Sequence, residues 1–274
     1  MDKPELYNEY NTLTTVSTKQ CLDDYKAKIR WKDQGGSIID LGCGDGGVTS
    51  LINKYIPNNY KFVACDINEK MVKFARIRYG DENIVFRVLD AEGDIPDDMR
   101  RGFDHVFSFF LFHWIRNQEK AFTNVYDLLK EGGDCMLTFF GYSQVYELYD
   151  IIGRDPKWSS TWIKNLNDFI SPYYNMKDPE KKITEMLKGI GFKNIDVQLR
   201  NMQHVFENGQ KLKPLLKAVD PYGMPAEVHE EFMRDFVVAG QNTGLFNKTN
   251  KIDMADIKDE ITFKYCLIVV YATK

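Results

Sequence analysis

One run in the first third of this chain has the spacing of a ligand-binding turn: Asp40-Leu41-Gly42-Cys43-Gly44-Asp45-Gly46, directly after the apolar stretch Ser37-Ile38-Ile39. Glycine permits a tight turn and lets a ligand approach the backbone closely. Gly42, Gly44 and Gly47 also satisfy GxGxxG, so glycine alone does not separate a dinucleotide from another nucleoside. The neighbouring acids make that distinction. Asp40 lies two positions before Gly42, and a fixed negative charge there opposes a pyrophosphate. Asp66 ends the next apolar run, where a carboxylate can accept both ribose hydroxyls. Asp90, followed by Ala91, ends a third run, within reach of an adenine amino group. Each acid alone reads equally well as a loop Asp capping the next helix. Three of them at successive strand ends, in register with the glycine turn, describe a pocket for a cationic nucleoside. S-adenosyl-L-methionine, with its ammonium and sulfonium, has that chemistry. Cys43 and Gly44 in the turn, Ile67 beside Asp66, and Ser108 further on complete the candidate cofactor set.

The elements that must position these residues follow from hydrophobic period. Cys21, Leu22, Tyr25 and Ile29 share a helical face over Thr18 to Ile29. The apolar runs Ser37 to Leu41, Lys61 to Cys65, Ile84 to Leu89, Asp104 to Phe110 and Cys135 to Phe140 read as strands. Between them lie a helix carrying Val48, Leu51, Ile52 and Tyr55, stopped by Pro57, and one capped by Asn68. A further helix, with Ala121, Phe122, Val125, Leu128 and Leu129, is expected to close at Gly132-Gly133. Asp178-Pro179 starts a helix ending near Gly191, and Ile195 to Gln203 and Ile261 to Ala272 supply the last two strands. This alternation predicts an α/β fold: a doubly wound, mostly parallel seven-stranded, Rossmann-like sheet in one domain. Residues 30–141 form the cofactor-binding core, and 191–206 and 261–274 the final strands. Residues 142–190 and 207–260 break the repeat as helical insertions, expected to fold over the binding edge as a lid or to pack on the outer face.

Composition narrows the function classes. A chain of 274 residues, 43% hydrophobic and 28% charged, with net charge -4 and no basic stripe, is a poor partner for nucleic acid. The start, Met1-Asp2-Lys3-Pro4-Glu5, lacks a signal-peptide core, and no segment reaches the apolar length of a membrane span. The five cysteines are scattered without CxxC pairing and the four histidines lack ligand spacing, so neither a metal nor a disulfide framework is expected. A cytoplasmic setting fits.

From about Ser37 to Phe140 the chain resembles the class I methyltransferases, whose motif has an acid and then three glycines at alternate positions after the first strand. In that fold the segment Phe107 to Gln118 lies on the sulfonium side, where an acceptor arrives. It lacks the Asn-Pro-Pro-aromatic sequence used by some families for attack by nitrogen, and it carries His113-Trp114 instead. That pair resembles carboxyl methyltransferases of small organic acids. The whole chain is similar to the insect juvenile hormone acid O-methyltransferases, through Leu6-Tyr7 with Asn11, Ile39 to Cys43, Phe103 to Phe109, His113-Trp114-Ile115-Arg116 with Gln118, Phe169 to Tyr173, and Asp178 to Lys181. The resemblance implies methyl transfer to the carboxylate of a sesquiterpenoid acid, juvenile hormone acid or farnesoic acid, and leaves a homodimer open. It also implies that Trp114 holds the substrate carboxylate with the residue at position 14. The family commonly has a glutamine there, whereas this chain has Thr14, a shorter donor, so the second donor stays open among Tyr7, Tyr10, Thr12 and His113.

Such chemistry demands little of the protein. A carboxylic acid of pKa ~4–5 is already ionised at neutral pH, so no general base is required. The site must hold one oxygen in line with the methyl group at roughly 3 Å and exclude water. Trp114 can donate its indole N–H to the other oxygen, and His113 and Thr14 are the accompanying candidates. A farnesoid tail needs a long apolar slot, for which Phe109, Phe110, Phe112, Trp158, Trp162, Phe169 and the second insertion are available. The competing readings are a methyltransferase for another small organic acid and a catalytically inactive isoprenoid-acid binder. A nicotinamide-dependent reductase is disfavoured by Asp40.

Overall fold

The computed structural model describes residues 3–33, 35–57, 59–81 and 83–274, so Met1 and Asp2 of the mixed-charge start lie outside the described residues. Seven strands form one sheet: β1 (Ser37–Leu41), β2 (Lys61–Asp66), β3 (Ile84–Val88), β4 (Phe103–Phe109), β5 (Leu129–Ser143), β6 (Lys193–Phe206) and β7 (Ile261–Thr273). Their order is β3-β2-β1-β4-β5-β7-β6. The first five pair in parallel, and β7 enters antiparallel to both β5 and β6. The chain order therefore reverses beside β1, between β1 and β4, which is where an open α/β sheet leaves a crevice beyond its strand ends.

Buried side chains on the two faces of the sheet form two cores, the alternation that a doubly wound sheet requires. Ile38, Phe62, Phe107 and Met136 belong to one, and Ile39, Cys65, Val106 and Cys135 to the other. Strand β7 shows where cover ends. Its last residues, Leu267–Thr273, are buried throughout, but Thr262 and Lys264 alternate outward between buried Ile261, Phe263 and Tyr265.

The helices are α1 (Pro4–Tyr10), α2 (Thr12–Tyr25), α3 (Gly47–Asn53), α4 (Glu69–Tyr79), α5 (Gln118–Leu128), α6 (Gln144–Gly153), α7 (Pro156–Ser159), α8 (Pro179–Ile190), α9 (Gly209–Val219) and α10 (Ala226–Thr243). Several boundaries follow local chemistry. Asn68 caps α4 by accepting from the backbone N–H of Met71, and α8 begins on Pro179 and ends on Gly191 at φ 116°. Several expected boundaries shift: the helix expected to reach Pro57 ends at Asn53, and the strand expected over Cys135 to Phe140 runs from Leu129 to Ser143. The helix expected from Thr18 starts at Thr12, capped by Asn11, because Leu13, Ser17 and Thr18 are buried on the same face as Cys21 and Leu22. The helix expected to run to Gly132-Gly133 stops at Leu128. The glycines instead lie within β5, where Gly132 takes φ 78° and the register against β4 shifts between Phe103 and His105. Among the described residues no helix is long and apolar enough to cross a membrane, and no group of three or more His, Cys, Asp or Glu side chains is placed to hold a metal.

Candidate active site

Two cavities open beyond the carboxyl ends of the parallel strands, and they share Trp114 as a common wall. The first is a cleft lined by Gly42, Asp66, Ile67, Leu89, Asp90, Ala91, Glu92, Leu111, Trp114 and Ile115. Asp66 is held in one orientation by backbone donors: Gly44 N donates to its Oδ2 at 2.9 Å and Asn68 N to its Oδ1 at 2.8 Å. Each oxygen keeps a second lone pair, so the carboxylate can still accept a pair of vicinal hydroxyls. Burial raises its pKa, and the two N–H groups oppose that shift. Asp90 accepts from Glu92 N through Oδ1 at 3.0 Å, with Oδ2 unpaired among the described residues. Ile67, Leu89, Ala91 and Ile115 give the cleft apolar walls suited to a flat base.

Asp40, Cys43 and Ser108 stand behind this cleft and do not line it. Asp40 is 1% exposed under the turn, with Thr49 Oγ1 donating to its Oδ2 at 2.6 Å. Burial pushes its pKa up to about 7, against the Thr49 hydrogen bond and helped by the charge of Asp66. Ser108 is buried and donates to Leu41 O at 2.8 Å, tying β4 to the end of β1. Gly42 has φ 78°, and a Cβ there would lie 2.7 Å from Leu111 Cβ. The glycine is required at this position because the segment after β4 packs directly onto the turn.

That segment is unusually constrained. Phe110 takes φ 60°, a left-handed conformation that a bulky aromatic rarely adopts, costing roughly 1–3 kcal/mol. Its N–H donates to Thr138 O at 2.7 Å, and the chain then turns through the short 3-10 segment Phe112–Trp114. Buried Gln118 donates to Phe112 O and Ile115 O at 2.7 and 2.8 Å, and Tyr173 in turn donates to Gln118. Arg116 donates to His113 O and Ile170 O, both at 3.0 Å. Trp114 is thereby fixed on both sides while its indole N–H pairs with no side chain or carbonyl among the described residues.

The second cavity and its mouth hold about 680 Å³ of space between atoms, open solvent included. Its walls are mainly apolar. Phe110, Phe140, Val145 and Phe169 line it from the sheet edge and first insertion, and Leu212, Leu215, Leu216 and Val219 from α9. Of the aromatics named from sequence, Phe110 and Phe169 reach it, while Phe109, Phe112, Trp158 and Trp162 do not. Its polar groups include Tyr7, Asn11, Thr14, His113, Trp114 and Tyr146. Three of their buried polar atoms have no hydrogen-bond partner among the described residues: Thr14 Oγ1, His113 Nδ1 and Tyr146 Oη. Burial lowers the His113 pKa to about 3, with Arg116 adding to the shift, so its ring is neutral at physiological pH.

Among the possible second donors, Tyr7 and His113 border this cavity, and Tyr10 and Thr12 face a separate groove where Thr12 Oγ1 lies 3.0 Å from His204 Nε2. Helix α1 had no counterpart in the sequence-based elements. It lies over the glycine turn, with Tyr7 4.0 Å from where a Gly44 Cβ would be, and Asn8 bonds Asp45 Oδ2 at 2.5 Å and Tyr79 Oη at 2.8 Å. Pro4 at the first helical position is its one sequence signal. Tyr146 belongs to no motif. Its only sequence signal is its place just after the fifth strand.

Comparison with known proteins agrees with this geometry. Residues 38–133 match the methyltransferase domain family model. The chain is 39% identical over 275 residues to the juvenile hormone acid O-methyltransferase of Bombyx mori, covering 100% of this chain and 98% of that protein. It is 34% identical to the enzyme of the same name from Drosophila melanogaster, covering 100% and 93%. Phosphoethanolamine N-methyltransferase 2 of Haemonchus contortus, solved with S-adenosyl-L-methionine, superposes with a TM-score of 0.55 at 19% identity, over 93% of this chain and 52% of that one, and so shares the fold. With full-length identity on that scale, a doubly wound sheet and a carboxylate-lined cleft at its switch point, the chain belongs to the juvenile hormone acid O-methyltransferase family of S-adenosylmethionine-dependent class I methyltransferases.

Proposed function

We propose that this protein methylates the carboxylate of a sesquiterpenoid acid, juvenile hormone acid or farnesoic acid, to give the methyl ester. The observation that carries this reading is Trp114 at the wall between a carboxylate-lined cleft and a mainly apolar cavity. S-adenosylmethionine, when bound, supplies an electrophilic methyl group on a sulfonium. Asp66 would accept the ribose hydroxyls, Asp90 the adenine amino group, and Ile67 and Ala91 would flank the base. Gly42, Cys43 and Gly44 form the turn that the amino-acid end approaches, and Ser108 braces it from β4. Asp40 contributes negative potential from beneath the turn, which favours an ammonium.

On the acceptor side, Trp114 donates its indole N–H to one carboxylate oxygen and leaves the other free to attack. Thr14 and the neutral His113 ring supply additional hydrogen-bonding capacity, and the positive end of α2, where Asn11, Leu13 and Thr14 line the cavity, favours an anion. The oxygen–methyl bond forms as the sulfur–methyl bond breaks. No proton moves, so neither His113 nor any other residue acts as a base. Residues 142–190 and 207–260 serve as a lid that keeps water from the anion, and α9 receives the tail. A cytoplasmic location accords with five free cysteines. A homodimer is the assembly to look for by light scattering.

The test is transfer of labelled methyl from S-adenosylmethionine to a panel of acids. Methyl esters of farnesoic acid and juvenile hormone acid should form fastest, with short polar acids far behind. Fastest turnover of a small di- or tricarboxylic acid would replace the proposed substrate, and no ester from any acid would point to a binding protein.

A further inference from the structure

The acceptor cavity contains a closed circuit of aromatic rings. His113 lies 5.3 Å from Trp114, Trp114 5.6 Å from Phe169, Phe169 5.5 Å from Tyr146, Tyr146 6.2 Å from Phe140, and Phe140 5.0 Å from His113, centroid to centroid. All five side chains line the same cavity. Four of the five contacts are edge-to-face at 61° to 89° and the fifth is tilted at 41°, so the circuit is an interlocked rim. Phe140 and Phe169 are wholly apolar, leaving three members with polar atoms to offer: the Trp114 indole N–H, His113 and the Tyr146 hydroxyl.

Tyr146 is 3% exposed, and its hydroxyl has no hydrogen-bond partner among the described residues. Leaving a buried hydroxyl unpaired is costly, so a group in this position is expected to have a partner in the functional state. Two other hydroxyls of the cavity have polar neighbours: Ser143 Oγ accepts from Val145 N as the cap of α6, and the Tyr7 hydroxyl lies beside Thr14 and Asn11. Thr14 carries only a short side chain. The Arg116 guanidinium, held by His113 O and Ile170 O, places positive charge within electrostatic reach of both His113 and Tyr146. Burial holds the phenol far above its ordinary pKa, so it remains a donor at all working pH values.

We propose that Tyr146 is the second hydrogen-bond donor to the acceptor carboxylate, acting with Trp114 from across Phe169 and biased towards anions by Arg116. This inference rests on the carboxyl-methyltransferase reading and adds to it the residue that fixes the carboxylate's second orientation. Two donors from different elements, the turn after β4 and the first turn of α6, define the plane of the carboxylate. A single donor leaves it free to rotate about one hydrogen bond.

The test is Tyr146→Phe, which keeps the ring and removes only the hydroxyl. With farnesoic acid, kcat/KM should fall about 10- to 100-fold, the scale of one hydrogen bond to a charged group. In parallel, binding of farnesoic acid and of farnesol, the alcohol with the same tail, is measured in the presence of S-adenosylhomocysteine. The variant should lose affinity for the acid and retain affinity for the alcohol within about threefold, with an unchanged melting temperature. Adding Thr14→Gln, which extends an amide into the same cavity, should recover part of the loss. Equal loss for acid and alcohol would assign Tyr146 a packing role, and unchanged acid binding and turnover would remove it from the site; either overturns the proposal. If the wild-type protein binds farnesoic acid but forms no ester, the methyltransfer reading fails while the acid-to-alcohol ratio still decides the role of Tyr146.

Discussion

The two cavities that meet at Trp114 are built on opposite principles. In the cofactor cleft the acids are already engaged, Asp66 accepting from Gly44 and Asn68 and Asp90 from Glu92, and behind it Asp40 accepts from Thr49. They form a preorganised set of charges whose geometry is set by the sheet ends. In the acceptor cavity the polar atoms of Thr14, His113 and Tyr146 are buried and unpaired among apolar walls contributed largely by the insertions. Fixed charges select a polar ligand before it arrives. Unpaired donors in an apolar slot select an anion with a greasy tail, because only such a ligand pairs the donors and fills the slot together.

The largest effect expected from breaking this contrast is on the cofactor side. Asp66→Ala should weaken S-adenosylhomocysteine binding by about 100-fold or more in calorimetry, since two hydrogen bonds to a charged group are lost, each worth ~1.5–3 kcal/mol. Acid binding should be affected far less. Next is Trp114→Phe, which keeps the aromatic wall and removes the indole N–H. It should lower kcat/KM for the acid by about 10- to 100-fold, with S-adenosylhomocysteine affinity within about threefold.

A pH series sharpens the contrast at intermediate scale. Asp40 has its pKa raised to about 7 by burial, so the unliganded fold binds a proton that the unfolded chain has already released between the ordinary carboxylate range and pH 7. This group's contribution to stability therefore declines as pH rises through that window. Cation binding runs the other way, because the ionised form attracts it. S-adenosylmethionine affinity should rise by up to about tenfold per pH unit below 7 and level off above it. Asp40→Asn should flatten the profile. At saturating cofactor, kcat should be flat from pH 6.5 to 8.5, because the acceptor is already ionised and His113, at about 3, does not titrate there. The smallest effect is Thr14→Val, expected to reduce kcat/KM by only about two- to fivefold, since a short hydroxyl makes a weaker contribution than an indole on the cavity wall.

The same contrast governs what was legible in the residues. The sheet core and the three acids stand out because strand ends are marked by apolar runs meeting Gly and Asp, a local signal. The turn at Gly42 requires φ 78° and contact with Leu111, and its glycine announces the first of these. Helix α1 was not legible: seven residues with one fully buried side chain, Pro4, have almost no amphipathic period, and its position is set by Asn8 bonding Asp45 and Tyr79 far along the chain. The insertion of β7 between β5 and β6 is a long-range pairing that hydrophobic period does not encode. Phe110 in a left-handed conformation runs against its own propensity, and only the surrounding packing imposes it. Thr14, His113 and Trp114 stand out only through family resemblance, and their convergence on one cavity depends on α2 beginning at Thr12, six residues before the apolar pattern becomes evident.

The most direct test of the whole account is a crystal structure with S-adenosylhomocysteine and farnesoic acid bound together. Both ribose hydroxyls should lie on Asp66, the acid's carboxylate should be hydrogen-bonded to the Trp114 indole N–H with one oxygen facing the sulfur, and the tail should run along Leu212, Leu215 and Leu216. A nucleoside that leaves Asp66 untouched, or a carboxylate bound away from Trp114, would contradict this arrangement.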